Sequence, residues 1–252
     1  MLKTRVMPTL LYRGASLVKG VAFDSWRPIG APMQAIRVYN LRQVDELVFL
    51  DITASLEGRG PDVALIDELA DECFAPLTVG GGIRTVDDVG GLLAAGADKI
   101  AVNSAAVLDP PLVSAIAETY GSQCIVVSID ARREGDGSLR VATHAGTRLI
   151  AEDPSEVARR AEASGAGEIL ITSIDRDGTM TGYDLDLVQR VSSAVRIPVI
   201  ASGGAGNYED MYRAIDQGGA SAVAAAAIFH FTEQTPMEAK RYLAERGIPV
   251  RT

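Results

Sequence analysis

The chain has 252 residues, of which 47% are hydrophobic and 23% are charged, and its formal net charge is −9. This length and composition allow a large buried core, and the acidic balance argues against binding to nucleic acid or to an anionic membrane. No apolar run approaches the roughly 18 residues of a membrane helix, and no signal peptide is recognisable, so a cytoplasmic protein is expected. Cys73 and Cys124 are too few and too far apart to predict a disulfide framework.

Short β-branched segments alternate along the chain with Ala-, Leu- and Glu-rich amphipathic segments, a pattern typical of a parallel sheet with crossover helices. The predicted strands are 5–11, 47–52, 76–80, 98–103, 124–130, 168–173, 197–202 and 222–226. The predicted helices are 61–72, 86–95, 110–120, 154–164, 184–194, 208–217 and 235–246. Eight evenly spread strands favour an α/β fold of the (β/α)8 TIM-barrel class over an open doubly wound sheet.

The second half of the chain repeats the first. The glycine-rich segment 77–83 recurs in weaker form at 200–205, and the apolar segments on either side of it recur in the same order. An open sheet would predict neither this repeat nor two equal sets of strands. We therefore expect a single domain, 1–252, built from two β4α4 halves at about 1–120 and 121–245.

Several small residues follow predicted strands, at the end of a barrel where catalytic groups lie. Two glycine turns occur at equivalent places in the repeat, and each is matched by small residues after the next strand. The candidate phosphate-binding residues of this kind are Gly81, Gly82, Asn103, Ser104, Gly203, Gly204, Ala226 and Ala227. Small residues let backbone N–H groups approach a phosphate, so two such sites predict a ligand with a phosphate at each end. The alternative is that the glycines only form tight turns.

Charged residues near the same strand ends are the candidates for chemistry. Asp130 ends an apolar run, so its side chain is expected in a partly desolvated mouth, as a general acid or base or as a turn cap. Asp177 and Gly178 belong to a turn that suits either loop amides or substrate hydroxyls. Lys19 is a candidate contact for an anionic substrate, or simply a solvated side chain. The two histidines have no Cys or His partner at ligand spacing, so neither a metal site nor a cofactor is predicted.

Five longer motifs make the chain recognisable, and they lie at 45–55, 78–84, 121–123, 174–178 and 201–206. Together they closely resemble the cyclase subunit of imidazole glycerol phosphate synthase, from Met1 to about Arg251. The resemblance implies a duplicated half-barrel and a partner glutaminase that docks on the N-terminal face. It also implies that ammonia travels along the barrel axis to the active site at the other end.

The resemblance further implies a charged gate at the bottom of the barrel. The matching residues here are Arg5, Glu46, Lys99 and Glu168. They explain why charged side chains stand at or near the starts of apolar strands. A purely structural salt-bridge plug is the alternative, since buried ion pairs are often neutral for stability.

The chain departs from the family pattern at a catalytic position. The family uses two carboxylates, at the ends of the first and fifth strands, and Asp130 matches the second. Leu11 occupies the position of the first, and losing a general acid or base costs about 10²- to 10⁴-fold in rate. Ser104 replaces a threonine, and Ala227 stands where a serine usually helps to hold phosphate. The pair Leu10-Leu11 also resembles paralogues that are associated with amidation of nucleotide sugars for surface polysaccharides.

Two functional hypotheses follow from this mixture. The first is a lyase or cyclase that uses glutamine-derived ammonia on a bis-phosphorylated ribonucleotide of the imidazole glycerol phosphate type. The second is a weak or inactive conduit that passes ammonia to a nucleotide-sugar amidotransferase. A plain phosphosugar isomerase is less favoured, because the related isomerase also has an aspartate at the position of Leu11.

Overall fold

The computed structural model describes residues 3–251 and shows a closed barrel of parallel strands surrounded by helices. The strands, numbered in chain order, are β1 (Arg5–Arg13), β2 (Ser16–Val21), β3 (Asp24–Gly30), β4 (Leu47–Asp51), β5 (Leu77–Gly80), β6 (Lys99–Val102), β7 (Ile125–Arg133), β8 (Leu139–Thr143), β9 (Arg148–Ile150), β10 (Glu168–Ser173), β11 (Val199–Ser202) and β12 (Ala222–Ala225). Around the barrel the order is β1-β4-β5-β6-β7-β10-β11-β12, and β12 pairs with β1 to close it. The predicted (β/α)8 class is confirmed.

Helices follow the barrel strands and cover the outside of the barrel. They are α1 (Pro32–Leu41), α2 (Val63–Asp71), α3 (Val86–Ala94), α4 (Ser104–Leu108), α5 (Pro110–Tyr120), α6 (Pro154–Ala163), α7 (Leu185–Ala194), α8 (Tyr208–Asp216), α9 (Ala227–Phe231) and α10 (Pro236–Glu245). All seven predicted helices are confirmed within two residues at each end. The prediction missed α1, in which Ile36 and Tyr39 are buried while Val38 and Leu41 are exposed. Apolar residues on both faces obscure the helical period.

Local capping explains where several helices begin. Thr85 and Asp88 form a capping box at the start of α3, and Asn207 and Asp210 form the equivalent box at the start of α8. Such boxes satisfy backbone N–H groups that the first helical turn leaves unpaired. Within the described part of the chain, every helix is too short or too polar to span a bilayer.

Two antiparallel excursions extend the barrel and were not predicted. The first hairpin, 16–30, consists of β2 and β3 and pairs with the end of β1; the second, 139–150, consists of β8 and β9 and pairs with the end of β7. The predicted strands 5–11 and 124–130 therefore ended too early. The two excursions meet over the mouth, since a Cβ added to Gly146 would lie 2.9 Å from the Phe23 ring.

The barrel interior has a layered composition. Its apolar layer consists of Met7, Val48, Ala101, Val126, Leu170, Ile200, Ala222 and Ala224. Side chains of a strand alternate between its faces, so Arg5, Met7, Thr9 and Leu11 of β1 share the interior face. Arg5 and Leu11 are six residues apart, which corresponds to about 20 Å along the strand. Charged residues therefore stand at one end of the interior and a cavity opens at the other.

Candidate active site

A cavity of about 330 Å³ opens at the C-terminal ends of the barrel strands. Every residue predicted as catalytic or ligand-binding borders it: Leu11, Lys19, Gly81, Gly82, Asn103, Ser104, Asp130, Asp177, Gly178, Gly203, Gly204, Ala226 and Ala227. The four predicted gate residues do not border this cavity. The structure thus brings the predicted catalytic and ligand-binding residues together and separates them from the predicted gate residues.

Asp130 is one of the buried acids that border the cavity. Its Oδ2 accepts a hydrogen bond from Asn103 Nδ2 at 3.1 Å. The pKa of Asp130 is raised to about 7, mainly by burial and also by the negative charge of Asp177, while hydrogen bonds from Asn103 and Thr172 oppose the rise. A carboxyl group with a pKa near neutrality can both accept and donate a proton at physiological pH.

A hydrogen-bonded chain connects Asp130 to the turn of the second hairpin. Ser104 Oγ donates to Asn103 Oδ1 at 3.2 Å, and the backbone N–H of His144 donates to Ser104 Oγ at 2.9 Å. The hydroxyl hydrogen of Ser104 is therefore already used within the protein. This end of the cavity therefore offers an anion backbone N–H groups rather than the serine hydroxyl.

The two glycine turns need glycine for steric reasons. Gly81 has a φ of +116° and Gly204 a φ of +113°, and a Cβ at either position would collide with a backbone carbonyl, of Asp51 or of Gly182. Among residues 3–251, the backbone N–H groups of Gly82 and Gly204 donate to no other backbone group. Both turns therefore leave amides available to a ligand.

Lys19 and Asp177 form a buried ion pair on the cavity wall. Lys19 Nζ lies 2.8 and 2.7 Å from the two carboxylate oxygens of Asp177, and Lys19 is only 2% exposed. The alternative of a solvated lysine is therefore wrong. The backbone N–H of Ala22 donates to the carbonyl of Asp177 at 2.8 Å, which attaches the first hairpin to the loop after β10. Asp177 binds a side chain rather than the loop amides that were one prediction for it.

Leu11 lies on the wall opposite Asp130, because β1 and β7 are four strands apart in either direction around the barrel. The nearby carboxylate of Asp51 already has partners within the protein. Its Oδ1 accepts from the backbone N–H groups of Thr53 and Ala54, and its Oδ2 lies 2.7 Å from Arg59 Nη2. Leu11 therefore contributes no acid to this wall, and the neighbouring Asp51 is engaged with Arg59.

The four predicted gate residues form a closed ring of ion pairs at the N-terminal end of the interior. Arg5 lies 2.7 Å from Glu46 and 2.8 Å from Glu168, and Lys99 lies 3.0 Å from Glu46 and 2.9 Å from Glu168. Thr78 Oγ1 donates a further hydrogen bond to Glu46 at 2.6 Å. Two cations and two anions alternate, so the ring is electrically neutral.

The sequence-based prediction missed some cavity residues. Phe23 and Trp26 of the first hairpin border the cavity with ring centroids 6.4 Å apart, and His144 borders it from the second hairpin. These residues belong to the two unpredicted excursions. The alternation in 139–143 was the available signal for the second hairpin, whereas the mostly exposed strand β3 offers none.

Comparison with known proteins agrees with this geometry. Residues 5–235 match a family described as "Histidine biosynthesis protein". Over all 252 residues, and over the full length of both chains, the protein is 55% identical to "Imidazole glycerol phosphate synthase subunit HisF" of Hyphomonas neptunium. The chain therefore belongs to the family of imidazole glycerol phosphate synthase cyclase subunits, which are enzymes of histidine biosynthesis.

Proposed function

We propose that the protein is a cyclase subunit that uses glutamine-derived ammonia on a bis-phosphorylated ribonucleotide of the imidazole glycerol phosphate type. The observation that carries this proposal is Asp130, a buried carboxyl group whose pKa of about 7 fits it to proton transfer. It borders a cavity flanked by two glycine turns, in a chain that belongs to the cyclase family. No metal or cofactor is required by the proposal.

The arrangement of the glycine turns supports a ligand with two phosphates. Gly82 and Ser104 follow the neighbouring strands β5 and β6, and Gly204 and Ala227 follow the neighbouring strands β11 and β12. These two strand pairs are diametrically opposed in the barrel order. A ligand that spans the cavity would meet available backbone N–H groups at both ends and Asp130 between them.

The proposed route of ammonia runs from the ion-pair ring to the cavity. The ring residues Arg5, Glu46, Lys99 and Glu168 would act as the gate, and a glutaminase would dock on the N-terminal face around them. Above the ring, the interior is lined largely by apolar side chains such as Met7. Neutral ammonia crosses such a layer far more readily than ammonium, because an isolated ion pays a large desolvation cost.

A second candidate function is favoured by Leu11. A cyclisation that adds ammonia and expels water moves protons at two places, and the wall opposite Asp130 carries no acid at Leu11. A conduit that only delivers ammonia to a separate nucleotide-sugar amidotransferase needs no second acid. This candidate retains the ion-pair ring and the glutaminase partner and gives up the cyclisation.

One assay distinguishes the two candidates. In one reaction, the purified chain is supplied with the bis-phosphorylated ribonucleotide and ammonium. In a second reaction, glutamine and the glutaminase subunit of the same organism replace the ammonium. A cyclase converts the ribonucleotide under both conditions and loses conversion with Asp130→Asn. A conduit stimulates the glutaminase and leaves the ribonucleotide intact. Absence of both conversion and stimulation would reject both candidates.

A further inference from the structure

Asp51 places a negative charge beside one of the two glycine turns. It ends β4, borders the cavity and is only 8% exposed. A Cβ added to Gly81 would lie 2.8 Å from the Cβ of Asp51, so this side chain begins directly next to the turn. A fixed carboxylate in this position repels the anion that the backbone N–H groups of the turn are suited to bind.

The loop after β4 uses this carboxylate for its own structure. Asp51 Oδ1 accepts hydrogen bonds from the backbone N–H groups of Thr53 and Ala54, at 3.0 and 3.1 Å, and from Thr53 Oγ1 at 3.1 Å. Aspartate side chains that bind the backbone two residues further on stabilise turns of this kind. The acid is therefore part of the turn, and an anion can bind beside it only if another group offsets its charge.

Arg59 supplies this offset from the end of the same loop. Its Nη2 lies 2.7 Å from Asp51 Oδ2 and donates to Thr53 Oγ1 at 3.0 Å. Its carbonyl oxygen would lie 2.8 Å from a Cβ added to Gly82, so the backbone of Arg59 packs against the second glycine of the turn. Arg59 itself does not border the cavity. It therefore acts on a bound anion through Asp51 and not by direct contact.

The second glycine turn has uncharged residues at the places of both partners. A Cβ added to Gly203 would lie 2.6 Å from the carbonyl oxygen of Ser173, which occupies the place of Asp51 in the sequence repeat. Thr181 occupies the place of Arg59. Where the acid is present, the arginine accompanies it, and where the acid is missing, the arginine is missing too. This correlation indicates that the arginine serves the acid.

We propose that Arg59 is a positioning residue for the anion site at Gly82, where it offsets the charge of Asp51 so that an anion binds beside a buried acid. This inference rests on the proposed phosphate sites and names a residue on which one of them depends. Two other charges lie near this turn: Arg84, which borders the cavity, and Glu57, which lies 2.6 Å from Arg59 Nε. The side chain of Glu57 is 55% exposed, so solvent screens its charge.

The test measures the binding of sulfate, which is a dianion at neutral pH. Sulfate is titrated into each protein, and the backbone amide signals of Gly82 and Gly204 are followed by NMR. The signal of Gly204 reports on the opposite end of the cavity in the same molecule. It therefore shows whether a variant has kept its fold and its second anion site.

Four variants separate the charge of Arg59 from its packing. Arg59→Gln removes the offset and leaves Asp51 charged. Asp51→Asn combined with Arg59→Gln removes both charges, and the asparagine oxygen still accepts hydrogen bonds from the loop. Arg59→Lys keeps the charge. Glu57→Gln is the matched control, because it breaks only the exposed ion pair of Arg59.

Arg59→Gln should weaken sulfate binding at Gly82 about tenfold, because the anion then meets an unpaired carboxylate, and should change binding at Gly204 by less than about twofold. The double variant should return to within about threefold of the natural affinity, since no charge is left to repel the anion. Arg59→Lys should also stay within about threefold, and Glu57→Gln within about twofold, because exposed pairs contribute little.

Three results would overturn the proposal: unchanged binding in Arg59→Gln, equal weakening at both glycines, or a double variant as weak as the single one. The last result would show that Arg59 only holds the loop in place. No sulfate binding at Gly82 in the natural protein would remove the phosphate site together with this inference. Sulfate binding needs no turnover, so a failure of the cyclase assay leaves the result intact.

Discussion

The two ends of the barrel interior both contain buried charge, and they use it in opposite ways. At the N-terminal end, Glu46 and Glu168 each contact both Arg5 and Lys99, so every charge has an opposite charge within 3.0 Å. At the C-terminal mouth, Asp130 is contacted by an amide and a hydroxyl, and no cation among residues 3–251 forms an ion pair with it.

The difference shows what makes a buried carboxyl group available for chemistry. Two cationic partners stabilise the charged form of a carboxylate, and this form has no proton to donate. A carboxyl group buried without a counter-ion has its pKa raised toward neutrality, as Asp130 does. The predicted effects below test this contrast, from the largest to the smallest.

The largest effect should come from removing the unpaired acid. Asp130→Asn should lower ammonia-dependent turnover by at least about 10²-fold, because the amide keeps the shape but transfers no proton. The measurement is kcat at saturating ammonium. Asp175→Asn is the control, since Asp175 accepts a hydrogen bond from the backbone of Arg133 and does not border the cavity. Equal activity of the two variants would remove Asp130 from the mechanism.

The next effect should come from breaking the charge balance of the ring. Glu46→Gln leaves Arg5 and Lys99 to share Glu168, and uncompensated buried charge should lower the free energy of unfolding by about 3 kcal/mol. Denaturant unfolding measures it. The control is Glu72→Gln, which breaks the exposed pair with Arg37 and should cost less than about 1 kcal/mol. Similar losses in both variants would show that the ring is not specially balanced.

A smaller gain should follow from adding an acid at Leu11. Leu11→Asp restores a carboxyl group opposite Asp130 and should raise ammonia-dependent turnover about tenfold or more. Leu11→Asn is the matched control, with a polar group that cannot transfer a proton. No gain in an active protein would mean that another group already supplies the second proton. No turnover even with Leu11→Asp would favour the conduit.

The effect that is smallest over any single pH unit concerns stability. The pKa of Asp130 rises from its ordinary 3.8 to about 7 in the folded protein, so between these values only the folded state holds the proton. Asp130 should therefore cost stability as the pH rises through this window, by up to about 1.4 kcal/mol per pH unit. Urea unfolding of the natural protein and of Asp130→Asn at several pH values measures the difference. A difference that does not change with pH would contradict the raised pKa.

Much of the contrast between the two ends of the barrel was predictable, because local sequence patterns reveal the strands that carry these residues. An apolar run that ends in Asp130 predicts a side chain at the mouth, and Glu46 and Glu168 stand out as charges at the starts of apolar strands. That the halves superpose, with Glu46 on Glu168 and Gly82 on Gly204, stays a prediction. The raised pKa of Asp130 was not predictable, since it depends on the extent of burial and on Asp177 in the loop after the next barrel strand.

The two excursions escaped prediction for a different physical reason. β3 is largely exposed and contains Pro28, so neither alternation nor strand propensity marks it. The position of His144 depends on β8 pairing with β7 and on a contact with Ser104 forty residues away in sequence. Residues supplied by such tertiary pairing are the part of the site that a single sequence does not reveal.

The first hairpin has one consequence for experiment. Trp26 is the only tryptophan of the chain, and it borders the cavity on the hairpin that Lys19 fastens to Asp177. Its ring packs against Gly20, where an added Cβ would lie 2.9 Å from the indole. Intrinsic fluorescence excited in the indole band therefore reports on this hairpin alone. Ligand binding at the mouth can therefore be followed by stopped flow in the natural protein, without any label.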